Sequence, residues 1–155
     1  MIGLSVRGGA RTLPRSSRDR LRRRLHRAMV AAGVGEAEVA LSLIDDAEMQ
    51  ALNRSYRRKD RPTDVLSFSM REGEGAELHP ELLGDLVISV DTARRQAAEH
   101  AHDLDAELLH LAVHGLAHLL GYDHATTGEE QRMFAYEARL REQACGRRAV
   151  VTVAP

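Results

Sequence analysis

Two kinds of hydrophobic pattern divide the chain into short segments of alternating apolar and polar residues and longer segments with helical spacing. The strand-like segments cover residues 2–6, 39–44, 64–69 and 84–90. The helical segments cover residues 14–32, 45–56, 91–101, 103–120 and 126–144. This order predicts an α+β fold, in which a small mixed sheet of about four strands is packed by about five helices.

Residues that commonly cap helices stand where the helical patterns begin or end. Gly33 is predicted to end the first helix, and Gly121 the fourth. Within the second helix, Ala47, Met49 and Leu52 are expected to face inward. The predicted N-caps are Asp45, Asp91 or Thr92, Asp103, and Thr126 or Thr127.

Length and composition indicate a single globular domain over residues 1–155. Residues 145–155 are interpreted as a flexible tail, in which residues 150–153 are either a short strand or disordered. Aromatic residues make up only 3% of the chain, which argues against a base-stacking surface. No apolar run approaches the roughly 20 residues of a membrane span, and no signal peptide is expected. One cysteine, Cys145, fits the reducing cytoplasm, so a cytoplasmic location is expected.

Charge is distributed unevenly, although the formal net charge is only -1. Residues 1–35 carry nine arginines and one aspartate, and seven of those arginines lie in the first predicted helix. Such a cluster can contact phosphates, or it can be an ordinary solvated helix face. Charge alone leaves both interpretations open.

The most informative motif places histidines at 114, 118 and 124, with Gly121 between the last two. His114 and His118 lie one helical turn apart and therefore share a face. A left-handed residue at Gly121 would turn the chain back and bring His124 toward them. Three imidazoles with an open fourth position are typical of a catalytic zinc site on a helix and the loop that follows it.

The spacing is close to the protease motif H-E-x-x-H-x-x-G-x-x-H, but Gly115 stands where the proteases have their catalytic glutamate. The expected chemistry is therefore metal-assisted hydrolysis of something other than a peptide. His110 and His118 are about 12 Å apart along a helix axis and cannot bind one ion, so His110 is interpreted as a structural residue or as one that supports a ligand. His100 and His102 lack ligand spacing and are expected at the surface.

A second, basic segment joins the end of the second helix to the third strand. Arginines here could bind a phosphodiester, or they could simply favour the negative end of a helix. Thr63, Asp64 and Ser67 could orient a water, or they could cap a turn after Pro62. The basic residues are Arg54, Arg57, Arg58, Lys59 and Arg61.

Together these stretches resemble the bacterial YbeY family of endoribonucleases and rRNA maturation factors, from about residue 43 to 137. The similarity is carried by Asn53, Tyr56-Arg57, Lys59-Asp60, Pro62-Thr63-Asp64-Val65-Leu66-Ser67-Phe68, Leu83-Gly84-Asp85-Leu86-Val87-Ile88, His114-Gly115, His118-Leu119 and Gly121-Tyr122-Asp123-His124. Ser69 stands where the family has proline, and Arg58 where it has glycine.

The resemblance implies one zinc ion bound by His114, His118 and His124, with His114 and Arg57 as catalytic residues. It also implies cleavage of single-stranded RNA, maturation of the 16S rRNA 3′ end, quality control of 70S ribosomes, and contact with the small ribosomal subunit and its proteins. The general base is open among Asp85, Asp123 and a substrate 2′-hydroxyl, and Asp123 could instead orient a histidine ligand.

Two other functions stay open at the level of sequence. One is a ribosome assembly factor with a structural zinc and little nuclease activity. The other is a metallohydrolase of another substrate, for which the basic segment favours an anion over a peptide.

Overall fold

The computed structural model of the chain describes residues 1–57, 64–71, 81–123 and 125–146, with residue 57 described for its backbone alone. Four strands and five α-helices lie in these ranges, together with a short 3-10 helix at Gly8–Thr12. The strands are β1 (Ile2–Val6), β2 (Glu38–Ile44), β3 (Val65–Ser69) and β4 (Leu82–Ser89). The helices are α1 (Arg15–Ala31), α2 (Asp46–Arg57), α3 (Val90–Glu99), α4 (Leu104–Leu119) and α5 (Thr127–Ala144).

The strands form one mixed sheet in the order β1-β2-β4-β3. β1 pairs with β2 and β2 pairs with β4 in parallel, and β3 pairs antiparallel with β4. β1 and β3 are therefore the two edges of the sheet. The predicted mixed α+β architecture is confirmed.

Apolar residues on the two faces of the sheet belong to two separate cores. The larger core joins the sheet to α1, α3, α4 and α5. A smaller core packs α2 against the opposite face and contains Ile44, Met49, Leu66 and Val87. The two faces receive alternate strand residues, as the pleat requires. Side chains of neighbouring strand residues therefore reach different environments.

Most predicted helix boundaries are confirmed by their hydrogen bonds. Asp103 accepts from the Ala106 amide at 2.8 Å, and Thr126 accepts from the Glu129 amide at 3.1 Å. The N-cap of α3 is Ser89, which accepts from the Thr92 amide at 3.3 Å. The prediction of Asp91 or Thr92 as that cap was wrong, because β4 passes directly into α3 without a loop.

Three further details differ from the expectations. Ala47 is exposed, because α2 covers its core with Met49 and the partly buried Leu52. The 3-10 helix Gly8–Thr12 was not predicted; its Gly9 amide donates to Asp45 at 2.9 Å, a contact between distant parts of the chain. Residues 72–80, between β3 and β4, and residues 147–155 of the predicted tail lie outside the described residues.

Helix α4 lies against β3 and β4 at unusually close range, because two glycines remove side chains from the contact. A Cβ on Gly115 would lie 2.7 Å from Leu86 Cδ2. A Cβ on Gly84 would collide with the Phe68 carbonyl oxygen and would lie 2.7 Å from Leu119 Cδ2. Where the chain is described, none of its helices combines the length and apolar character needed to cross a bilayer.

Candidate active site

The end of α4 turns the chain sharply after the two helical histidines. Gly121 adopts φ +96°. Its amide donates to His118 O at 3.0 Å, and the Tyr122 amide donates to Ala117 O at 3.0 Å. These bonds form the Schellman pattern that a left-handed glycine permits. The predicted stop at Gly121 is confirmed, and the chain leaves it toward residue 124, which lies outside the described part.

His114 and His118 lie side by side on α4. Their ring centroids are 4.7 Å apart, and the rings are nearly perpendicular at 89°. Both side chains are half-buried. The structure thus brings two of the three predicted ligands together, and the third, His124, lies outside the described residues.

The buried carboxylate of Glu137 forms a hydrogen bond with the ring of His114. His114 Nδ1 donates to Glu137 Oε2 at 3.1 Å, and the Glu137 side chain is only 1% exposed. This hydrogen bond raises the pKa of His114, although burial of the ring acts in the other direction. With Nδ1 carrying the proton to Glu137, Nε2 is the nitrogen with a lone pair for a cation. Arg141 Nη1 approaches the other oxygen of Glu137 at 3.8 Å.

Glu137 was not among the site residues predicted from the sequence. It lies 23 positions after His114, on α5, and only the packing of α5 against α4 joins them. A signal was present, because Glu137 falls in helical register with the core residues Met133 and Leu140. An acidic residue on an apolar helix face needs a buried partner.

His110 lies one turn before His114 and is half-buried. Burial, and next the positive charge of Arg141, lower the pKa of His110. A neutral imidazole at this depth fits the predicted structural role, in which His110 contributes to the surroundings of Glu137 and His114.

Asp64 supplies negative charge to the same region. Its charge contributes to raising the pKa of His114, after the larger contribution of Glu137. Its Oδ1 accepts from the Val65 amide at 2.7 Å, and its Oδ2 accepts from Gln96 Nε2 at 3.3 Å. The carboxylate is therefore fixed at the start of β3.

Asp85 lies on the wrong face of the sheet to act as the general base. Its neighbour Leu86 points to α4 and approaches Gly115, so the pleat directs Asp85 to the α2 side. There Asp85 lines a groove with Tyr56 and Phe68. Asp123 is exposed and lines an open cavity of about 230 Å³ beside the end of α4.

Arg57 is the last residue of α2, and its side chain lies outside the described part of the structure. The rest of the basic segment, residues 58–63, is also outside it; Thr63 belongs to that stretch. The segment ends at Asp64, so the chain leads from Arg57 to the surroundings of His114 within seven residues. Ser67 is half-buried on β3.

Another group could hold a metal ion, at the turn between α3 and α4. The ligand atoms of His100, His102 and Glu107 all lie within 4.8 Å of one another. Glu107 Oε1 bonds His102 Nε2 at 2.5 Å and His100 Nδ1 at 3.1 Å. Burial would raise the pKa of Glu107, but these two hydrogen bonds outweigh it and lower the pKa. Both histidines are exposed as predicted, but their convergence on a buried carboxylate was not foreseen.

Comparison with known proteins identifies close relatives. The family described as Endoribonuclease YbeY matches residues 11–144. Endoribonuclease YbeY of Moorella thermoacetica is 57% identical over 113 residues, which cover 68% of this chain and 72% of that protein. Endoribonuclease YbeY of Oceanobacillus iheyensis is 46% identical over 129 residues, which cover 79% of this chain and 84% of that protein.

A solved structure supports the same relationship at the level of the fold. The solution structure of a Thermotoga maritima protein superposes with a TM-score of 0.62 at 25% identity. The superposition covers 94% of this chain and 90% of the other.

Proposed function

Because the chain belongs to the endoribonuclease YbeY family, we propose that it is a zinc-dependent endoribonuclease that cleaves single-stranded RNA. Its proposed tasks are maturation of the 16S rRNA 3′ end and quality control of 70S ribosomes in the cytoplasm. Its proposed partners are the 16S rRNA precursor and the small ribosomal subunit with its proteins. Membership of the family supports the reaction class, and His114, His118, Glu137 and Arg57 are the residues of the proposed mechanism.

The observation that carries the metal proposal is the pair His114 and His118, supported by Glu137. Perpendicular imidazoles 4.7 Å apart, one of them oriented by a buried carboxylate, fit a cation-binding pair better than two surface histidines. We assign His124 as the third ligand, from its position just beyond the Gly121 turn. Nitrogen donors with an open fourth position suit Zn²⁺.

When bound, zinc supplies an electrophile for a phosphoryl oxygen and makes water more acidic. Glu137 keeps the proton of His114 on Nδ1, and so fixes which nitrogen faces the ion. Arg57 is assigned to the phosphate, where a guanidinium can donate two hydrogen bonds and stabilise developing negative charge. Asp64 places negative charge near His114. This charge favours binding of a cation there and disfavours binding of a phosphate in the absence of a cation.

The glycine at 115 has a packing role that is compatible with this chemistry. A Cβ at this position would lie 2.7 Å from Leu86 Cδ2, so the glutamate that peptidases have here would have to displace a buried leucine. Gly115 has no carboxylate, so the base for RNA cleavage must come from elsewhere. Asp123 is a candidate to take the proton of the attacking group, which is either a water or the substrate's own 2′-hydroxyl.

The proposal is tested by measuring zinc content and cleavage of single-stranded RNA for the wild type and matched variants. We expect His114→Ala to lose both, and Arg57→Ala to keep zinc and lose cleavage. His102→Ala is the control for the second histidine group, and it should leave zinc and cleavage at the proposed site unchanged.

Three results would contradict the proposal. Cleavage by a metal-free preparation at the wild-type rate would remove the ion from the mechanism. Loss of zinc in His102→Ala, with retention in His114→Ala, would move the ion to the turn between α3 and α4. Unfolding of His114→Ala together with unchanged weak cleavage would favour an assembly factor with a structural zinc.

A further inference from the structure

Helix α1 carries more positive charge than its contacts within the described part of the chain neutralise. It contains seven arginines and a single acidic residue, Asp19. Arg20 pairs with Asp105, and Arg27 donates to the Ala144 carbonyl at 3.3 Å. The separation of Arg15 and Asp19 is 3.9 Å at exposed positions, where an ion pair contributes little.

Three of these arginines converge on a groove beside the edge strand β1. Arg15, Arg18 and Arg22 occupy positions i, i+3 and i+7 and therefore share one helix face. They line a groove of about 390 Å³, whose wall is formed by Leu4 and Val6 of β1. Asp19 is the one acidic side chain in its lining, so the groove is cationic.

Arg18 is the most constrained of the three. Its Nε is buried and has no hydrogen-bond partner within the described chain. A buried donor without a partner costs about 1–3 kcal/mol. An acceptor that enters the groove would remove that cost, and a guanidinium is matched to the oxygens of phosphate.

We propose that the groove between α1 and β1 binds the phosphate backbone of RNA, as a docking surface separate from the candidate active site. The two regions lie at opposite edges of the sheet, since β1 and β3 are its outer strands. RNA that contacts both would cross the molecule, with the α1 groove holding a segment remote from the cleaved bond. The proposal rests on the proposed function only in taking RNA as the ligand.

An alternative role for the same arginines is protection of β1 from pairing with another sheet, because charged side chains commonly guard exposed strand edges. That role needs charge near β1, but it gives no reason for a buried guanidinium donor that lacks an acceptor. It also predicts a different phenotype, namely self-association of a variant whose arginines are neutralised.

The test is RNA binding as a function of salt, measured by fluorescence anisotropy with labelled single-stranded RNA whose integrity is checked on a gel. The variant is Arg18→Gln with Arg22→Gln. The control is Arg94→Gln with Arg139→Gln, an equal charge change at exposed positions on α3 and α5. Each lost phosphate contact should reduce the slope of log K against log salt by about 0.7. Two lost contacts predict a slope lower by about 1.4, and binding about 25-fold weaker at 0.1 M salt.

The groove proposal is wrong if the groove variant and the control bind RNA equally. It is also wrong if the groove variant binds RNA normally but self-associates, or if it loses only binding to vesicles of anionic phospholipid. Cleavage is measured separately on an RNA too short to span the molecule, and the groove variant should keep wild-type turnover there. If the nuclease proposal is wrong, the wild type, the groove variant and the control variant will all fail to cleave this short RNA. The failure of the groove proposal and the failure of the nuclease proposal are therefore distinguishable.

Discussion

Replacing Glu137 with Gln tests whether the carboxylate behind His114 governs metal binding. The substitution keeps the size of the side chain and removes its charge. A glutamine oxygen can still accept from Nδ1, but it is a weaker acceptor than a carboxylate that is 1% exposed. Loss of such a supporting partner typically lowers metal affinity by 10 to 100-fold. Since one hydrogen bond can survive, we expect about 10-fold, equivalent to about 1.4 kcal/mol.

The assay is competition for zinc between the protein and a chromogenic chelator. Glu142→Gln is the matched control, because Glu142 is exposed on the same helix and the charge change is identical. Thermal unfolding of the metal-free proteins measures the accompanying loss of stability. That loss should be about 1 kcal/mol, since the contact to Arg141 at 3.8 Å is weakened as well.

One result would refute the reasoning directly. If Glu137→Gln and Glu142→Gln bind zinc with the same affinity, the hydrogen bond to His114 does not support a ligand. A drop in affinity caused instead by Glu107→Gln would locate the ion at the His100, His102 and Glu107 group.

Three further predictions concern the fold that holds the site. Gly84→Ala should destabilise the protein by about 3 kcal/mol or more in denaturant titration, because the new Cβ meets the Phe68 carbonyl and a buried leucine of α4; wild-type stability would contradict the close approach. Asp46→Asn should cost about 1 to 2 kcal/mol at pH 7, because Asp46 accepts from Ser89 Oγ at 2.6 Å and from Thr92 Oγ1 at 2.7 Å. Burial would raise the pKa of Asp46, but these hydrogen bonds and Arg95 outweigh burial and lower the pKa. The wild type should therefore be more stable than Asp46→Asn above about pH 4, and this difference should disappear as the pH falls through the lowered pKa. A difference in stability that persists in acid would contradict the lowered pKa. Thr126→Ala should cost about 1 kcal/mol in thermal unfolding through loss of the α5 N-cap, with Thr127→Ala as the neutral comparison, and equal effects would contradict the assignment of the cap.

Local features of the fold were predictable from sequence because they depend on residues close along the chain. The Gly121 turn, the caps at Asp103 and Thr126, and the four strands are all of this kind. The cap of α3 was not, because a strand that runs straight into a helix shifts the cap to the last strand residue, Ser89.

The features of the candidate site that could not be predicted from the sequence depend on contacts between distant segments. The pairing of His114 with Glu137 and the convergence of His100 and His102 on Glu107 depend on how helices pack. Asp85 faces away from the histidines because its neighbour Leu86 packs against Gly115 of α4, and successive residues of β4 point to opposite faces of the sheet. The spacing of the histidines predicted a shared helix face, but it carried no information about what stands behind them.

The segment that carries the proposed third ligand is tied to α5 by two aromatic rings. Tyr122 and Tyr136 are stacked, with centroids 4.3 Å apart and planes 11° from parallel. The chain has no tryptophan and three tyrosines, and two of those tyrosines are in this stack. Tyrosine emission should therefore report the arrangement of the turn after α4 without any added label. A titration with zinc can therefore be followed by the intrinsic tyrosine fluorescence of the unmodified protein.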